Sequence, residues 1–380
     1  MEEDLRIAAE QALGAAWGEP VACKVVDVLR SAGRSRVWRL GVDGGPATSV
    51  ILKLAVGADT TTGGASKEER AFGRLVSEWA GCSMLAPLGF GPNLLGGDLA
   101  RRFCLIEDLG DGVTLADRLL GDDAAAASDA LFAYARSLGD LHRATVGAGE
   151  RWAELRGRLG ASREHHPRID EWPSEAAAFM AYAQAAGDDA PGLEADLAQI
   201  GAALAAAPYL AFTPTDCCPD NHFQRGERVV FFDCEGAQLR HALLDAAYFL
   251  APFPTCWCCA AMPEGLPARL VAAYRERFDG GVDFDAQLTL MLAAWLVATV
   301  PRAARMGWHD ADRPWGLSTM RQRGLALTAA LLARPDAAAG LPGLTETVAR
   351  MRRRLAASWT DVAPMPLYPA FGGPPMPPPS

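Results

Sequence analysis

The sequence predicts an α+β chain in two lobes, an N-terminal antiparallel sheet lobe over residues 1–109 and a larger helical lobe over residues 110–362, with a proline-rich tail over 363–380. Three observations lead there. Short β-branched and apolar runs bounded by turn residues crowd the N-terminal third, and from Thr114 onward apolar residues recur at helical spacing. The exception is Ala211 to Glu235, a polar loop and a short apolar strand set inside the helical region. With 380 residues, half of them apolar, the chain has ample core and is not a disordered protein. The net charge of −10 argues against general nucleic-acid binding and against anionic membrane surfaces, and favours cationic partners.

Leu5 to Trp17 carries a helical stripe through Ala8, Ala9, Ala12 and Leu13 and is expected to pack outside the first lobe. Val21 to Leu29 and Arg36 to Val42 read as strands joined by a small-residue hairpin, Arg30 to Ser35, of the kind whose backbone N–H groups close over phosphates. The next strand, Thr48 to Leu54, holds Lys53. Only three lysines stand among the cationic residues, and this one lies inside an apolar strand. A compact ammonium suits the α and β phosphates of ATP, although a strand lysine can also snorkel to water. After a loop rich in Thr and Gly, Ser66 to Trp79 reads as a helix with Ser66 as N-cap and Glu68 and Glu69 in its first turn. Met84 to Phe90 and Phe103 to Glu107 complete the strands. Gly89-Phe90-Gly91 lacks a third glycine opening a helix, and no GxxxxGK[ST] occurs, so dinucleotide and P-loop readings are set aside.

In the helical region the expected helices are Thr114 to Leu120, Asp129 to Thr145, Ser174 to Ala186, Leu193 to Ala206, Pro267 to Phe278, Phe284 to Met306, Ser318 to Ala333 and Thr345 to Ser358. Between the fourth and fifth stands Asp216, five residues before Asn221, and Asp233 follows the apolar run Val229 to Phe232. Phosphoryl transfer needs those groups in that order: a carboxylate to orient and deprotonate an attacking hydroxyl, then an amide oxygen and a second carboxylate for Mg2+. Asp-Cys-Cys-Pro-Asp-Asn is also good turn sequence. Asn93 and Asn221 are the only asparagines, however, and a plain turn in this chain would draw on its abundant Asp and Gly.

This stretch resembles the aminoglycoside phosphotransferase and choline kinase-like family of small-molecule kinases, in which His-Gly-Asp, four residues and Asn precede a strand ending in a metal-binding Asp. Here Pro214 and Thr215 occupy the His-Gly places. The resemblance covers nearly the whole chain and implies a protein kinase-like fold, ATP and Mg2+ as cofactors, and a small-molecule hydroxyl acceptor as partner. It implies that Glu69, with Glu68 as the alternative, pairs with Lys53. It also implies that Glu107 to Leu109 form the hinge whose backbone holds the adenine, that Asp245 caps a helix, and that His142 is a packed structural residue. A kinase-like binding or scaffold protein without turnover is the alternative function.

The nine cysteines, in a chain opening on acidic Met1-Glu-Glu-Asp, lead us to expect reduced thiols and a cytoplasmic location. Cys256 to Cys259 contains CxxC without a second pair at zinc-finger spacing, so a cysteine-based redox or metal protein ranks last. Leu288 to Val300 falls short of the ~20 residues a bilayer needs. The tail is expected to be extended, mobile or draped over the surface. Acidic clusters at Asp122-Asp123, Glu150 with Glu154 and Asp188-Asp189, and Glu235 near the loop, favour a cationic acceptor over an anionic one.

Overall fold

A computed structural model describes residues 1–56, 66–161, 167–226, 228–251 and 253–376. The Thr- and Gly-rich loop expected after the third strand, and the last four residues of the tail, lie outside them. Helix α1 (Glu3–Trp17) leads into strands β1 (Ala22–Arg30), β2 (Ser35–Asp43) and β3 (Ser49–Ala55), followed by helix α2 (Lys67–Leu85) and strands β4 (Leu94–Asp98) and β5 (Phe103–Glu107). The strands form one antiparallel sheet in the order β1-β2-β3-β5-β4.

Successive side chains of a strand point to opposite faces, and β3 shows what that does here. Val50 and Leu52 join Ala9, Leu13, Leu40, Phe103 and Leu105 in a core beneath α1. Ile51 and Ala55 turn to the other face, where Leu75 and Cys82 of α2 pack with Cys104 and Ile106. Lys53 has the same parity as Ile51, so the pleat carries its side chain to the α2 side.

The expected strand Met84 to Phe90 is a correction. Helix α2 continues through Leu85 into a 3₁₀ turn at Ala86–Leu88, and the strand is Leu94–Asp98. The apolar run closes a buried helix face, while the true strand contains Gly96 and Gly97 and carries little apolar signal.

The second lobe begins with α3 (Leu115–Leu120), α4 (Ala124–Thr145), α5 (Gly149–Arg158), α6 (Pro167–Ala186) and α7 (Leu193–Leu204). Two small ribbons follow, β6 (Leu210–Thr213) paired with β9 (Gln238–His241), and β7 (His222–Arg225) paired with β8 (Arg228–Phe231). Then come α8 (Leu243–Ala246), α9 (Leu266–Phe278), α10 (Phe284–Arg305), α11 (Met320–Leu332), α12 (Ala337–Gly340) and α13 (Pro342–Ser358). A sheet lobe followed by a helical lobe with the paired ribbons inside it is an α+β, protein kinase-like arrangement.

Helix α10 has 22 residues and is apolar enough to cross a membrane by length and composition, but 78% of its most apolar window is buried in the lobe. The tail is anchored rather than mobile as far as residue 376. Leu367 bridges Ala261, the Ala261 N–H donates to the Pro366 carbonyl at 2.7 Å, and Tyr368 is fully buried.

Candidate active site

Lys53 reaches the cleft between the lobes from β3 and is 9% exposed. Its Nζ lies 2.7 Å from Glu78 Oε1 and 3.3 Å from Asp233 Oδ1, and donates to the Phe232 carbonyl at 3.1 Å. Burial pulls the pKa of this ammonium down, but the Asp233 and Glu78 carboxylates overcome that and hold it well above the ordinary value.

The expected pairing with Glu69 is therefore corrected to Glu78, and Glu68 does not take the role either. Ser66 and Glu69 form a capping box, in which the Ser66 N–H donates to Glu69 Oε2 at 2.6 Å and the Glu69 N–H to Ser66 Oγ at 3.1 Å. Nine residues of helix, roughly 13 Å of rise, separate that cap from Glu78. Glu78 also accepts the Cys234 N–H through Oε2 at 2.9 Å, so one buried carboxylate ties the strand lysine to the segment that carries Asp233. The signal was legible. Ser66-x-x-Glu69 already assigns Glu69 to the cap, and Glu78 is the one carboxylate of α2 beyond its first turn, in register with buried Ala71, Leu75 and Cys82.

The loop bearing Asp216 starts where β6 ends and comes back through β7 and β8 to Asp233 just before β9. Because Thr213 pairs with Gln238, its entry and exit are fixed side by side. Asp216 Oδ1 accepts the Cys218 N–H at 3.3 Å, Asn221 Nδ2 donates to the Asp216 carbonyl at 3.3 Å, and the Phe232 N–H donates to the Asn221 carbonyl at 3.2 Å. Asn221 and Asp233 are both buried. Burial and the nearby Asp233 charge raise the Asp216 pKa. Asp233 goes the other way: burial opposes its ionisation, but Lys53 and then Arg30 hold it below the usual carboxylate range.

A cavity of about 380 Å³ opens between the lobes, lined among others by Leu29, Lys53, Ile106, Glu107, Leu109, Asn221 and Asp233. Of the sequence-predicted site residues, Lys53, Glu107, Leu109, Asn221 and Asp233 line this cavity; Asp216 does not line it but is bonded to Asn221, which does, and Glu69 stays at its helix cap. The Glu107 N–H donates to the Asn93 carbonyl at 2.8 Å, and its side chain accepts from Asn93 Nδ2 at 2.7 Å. Besides Glu78, two residues escaped the sequence reading. Arg30 and Arg34, on the β1–β2 hairpin, face Asp233 at 3.8 Å and Glu235 at 2.8 Å.

Several expectations near the site change. Asp245 does not cap α8; it is fully buried and pairs with Arg240 and, at 3.3 Å, with His142 Nε2. His142 is packed as expected, with Nδ1 2.8 Å from the Tyr274 hydroxyl. Three acidic clusters have structural partners: Asp123 caps α4, Glu154 pairs with Arg158, and Asp188 pairs with Arg354.

Cys218 and Cys256, expected as free thiols, form a disulfide; 38 residues of sequence separate them, and the fold brings their Cα atoms to 5.6 Å. Spacing cannot reveal such a pair, because the approach is made by the tertiary fold. Under denaturing, non-reducing conditions seven thiols should react with an alkylating reagent, and all nine after reduction. Nine without reductant would refute the bond, whose loss should cost about 2–4 kcal/mol.

A strand lysine held by a helix carboxylate stands opposite a loop with Asp, Asn and a second Asp on a kinase-like fold. The sequence profile of the phosphotransferase enzyme family matches residues 28–288, and the chain belongs to that family. None of the curated proteins matches the chain. Among solved structures it is similar to a macrolide 2′-phosphotransferase from Brachybacterium faecium, at 18% identity over 87% of this chain and 98% of that one, TM-score 0.46. A choline/ethanolamine kinase family protein from Mesorhizobium loti gives 16% identity, 91% and 98% coverage and TM-score 0.43. Choline kinase from Streptococcus pneumoniae gives 13%, 81% and 94%, and 0.40.

Proposed function

We propose that the protein transfers the γ-phosphate of ATP to a hydroxyl group of a small polar molecule. One observation carries this reading: Lys53, Asn221 and Asp233, drawn from both lobes, line one cleft, with Lys53 bonded to Asp233 and Glu78, and Asn221 Nδ2 bonded to the Asp216 carbonyl.

Asp216 accepts the proton of the acceptor hydroxyl as its oxygen attacks the γ-phosphorus, and ADP departs when the β–γ bridging bond breaks. The raised pKa of Asp216 suits this, since a stronger base that is still ionised draws a hydroxyl proton better. Lys53 is placed to neutralise the phosphates. Asp233 and the Asn221 side chain fit Mg2+, a hard cation that takes one or two protein oxygens and completes its shell with phosphates and water. Since Asn221 Nδ2 is committed to the Asp216 carbonyl, the amide oxygen is the end that serves a cation. Bound there, Mg2+ would shield the charge that develops on the transferred group.

For the acceptor, members of all three acidic clusters have structural partners and Glu235, the next carboxylate after Asp233 in the loop, is paired with Arg34, so a cationic acceptor would take the place of Arg34 at Glu235. An amine-bearing acceptor fits, and its KM should rise with ionic strength. The reaction is tested by presenting purified protein with Mg-ATP and panels of amino sugars, amino alcohols and neutral sugars, following ADP release and the gain of one phosphoryl group by mass. Transfer to a hydroxyl acceptor supports the reading; a panel in which no acceptor gains phosphate while ADP stays at background counts against it.

A further inference from the structure

Thr215 stands one residue before Asp216 with φ +64°, a left-handed conformation that a β-branched side chain adopts only when its surroundings force it. Two contacts force it, both from the segment leading into and along β9. The Thr215 hydroxyl donates to the Gly236 carbonyl at 2.7 Å, and Arg240 Nη2 donates to the Thr215 carbonyl at 3.3 Å. Arg240 is 3% exposed and braced from beneath by Asp245, which His142 holds in turn, with Tyr274 behind the histidine. The guanidinium thus joins a buried carboxylate to a backbone carbonyl of the loop. Both bonds leave one nitrogen, Nη2, at the far end of the side chain, so the reach of arginine, one bond longer than that of lysine, sets where the two acceptors are joined.

We propose that Arg240 and Thr215 form a clamp that positions Asp216, Arg240 acting from the buried side and the Thr215 hydroxyl from the solvent side. The clamp touches no reacting atom. Its effect on catalysis rests on Asp216 being the base; its effect on loop order does not.

Three variants test it from both sides. Arg240→Lys keeps the charge beside Asp245 on a side chain one bond shorter, which withdraws the donor from the Thr215 carbonyl. Thr215→Val keeps the shape and removes the hydroxyl. Gly236→Ala, at an exposed position, puts a Cβ 2.5 Å from Thr215 Oγ1 and leaves the buried pairs untouched.

The readouts are amide hydrogen exchange in a peptide spanning residues 214–221, kcat, and the KM for ATP. Arg240→Lys should speed loop exchange and lower kcat by about tenfold or more, because small misplacements of a reacting group are costly, with the KM for ATP within about twofold. Thr215→Val and Gly236→Ala should move both quantities the same way with unchanged Tm. Parent-like exchange and kcat in the two solvent-side variants would overturn the clamp, as would Arg240→Lys loop exchange that rises only with global unfolding. If Arg240→Lys fails to fold, the solvent-side pair decides. Should the parent show no ATP turnover, the functional reading fails, and loop exchange alone decides the clamp.

Discussion

Asp216→Asn folds, binds nucleotide and loses phosphoryl transfer by about 10²–10⁴-fold, the usual contribution of a positioned base. Its thermal stability should not fall. In the folded protein burial and Asp233 raise the Asp216 pKa, so the ionised form is disfavoured relative to the unfolded chain at neutral pH, and a neutral amide relieves that burden. The same shift sets the sign of the pH dependence. Activity needs the ionised carboxylate and is lost as pH falls through its raised pKa, so the acid limb of kcat/KM lies above the ordinary aspartate value of 3.8. Turnover of Asp216→Asn within about tenfold of the parent would remove Asp216 from the chemistry.

Glu78→Gln and Glu69→Ala separate two carboxylates nine residues apart in one helix. Glu78→Gln removes the charge from a buried pair whose side chains are 4% and 11% exposed; because burial raises the Glu78 pKa to about 7 against the pull of Lys53, the cost should be about 1.5 kcal/mol, the scale of one charge-assisted hydrogen bond. It should also abolish efficient use of ATP, since the Lys53 ammonium and the Cys234 backbone lose their shared anchor. Glu69→Ala removes one half of an exposed helix cap, costs little stability and leaves kcat/KM unchanged. Denaturant midpoints and steady-state kinetics on the two variants decide the matter. Equal kinetic losses, or a larger one from Glu69→Ala, would return the pairing role to the cap.

Local patterns were legible where local forces act alone. The apolar runs of β3 and of the buried centre of α10, and the stripes of α1 and α4, show in the sequence because burial selects apolar residues wherever an element faces the core. Asp216, Asn221 and Asp233 stood out in the sequence by their spacing, and the β6–β9 and β7–β8 pairings hold them in one loop. Contacts made by tertiary approach were not legible. Arg240 with Asp245, Cys218 with Cys256, and the hairpin arginines with Asp233 and Glu235 are partners that no periodicity marks. Glu78 sits between these cases. Helical parity marks it, but only after the capping box has claimed Glu69.

The β1–β2 hairpin gives the cleft its own counter-ions. Arg30 and Arg34 come from the sheet lobe, while Asp233 and Glu235 follow the β7–β8 ribbon of the other lobe, so these two ion pairs cross the mouth of the site. A cation settling at Asp233 replaces the charge Arg30 supplies, and the phosphates arriving with it can take up the freed guanidinium groups. Loading is then an exchange of partners within the protein more than a recruitment of ions from solution. Mg-ATP affinity should therefore fall with added salt less steeply than the number of charges in the cleft implies, because paired charges present little net field to the surrounding electrolyte.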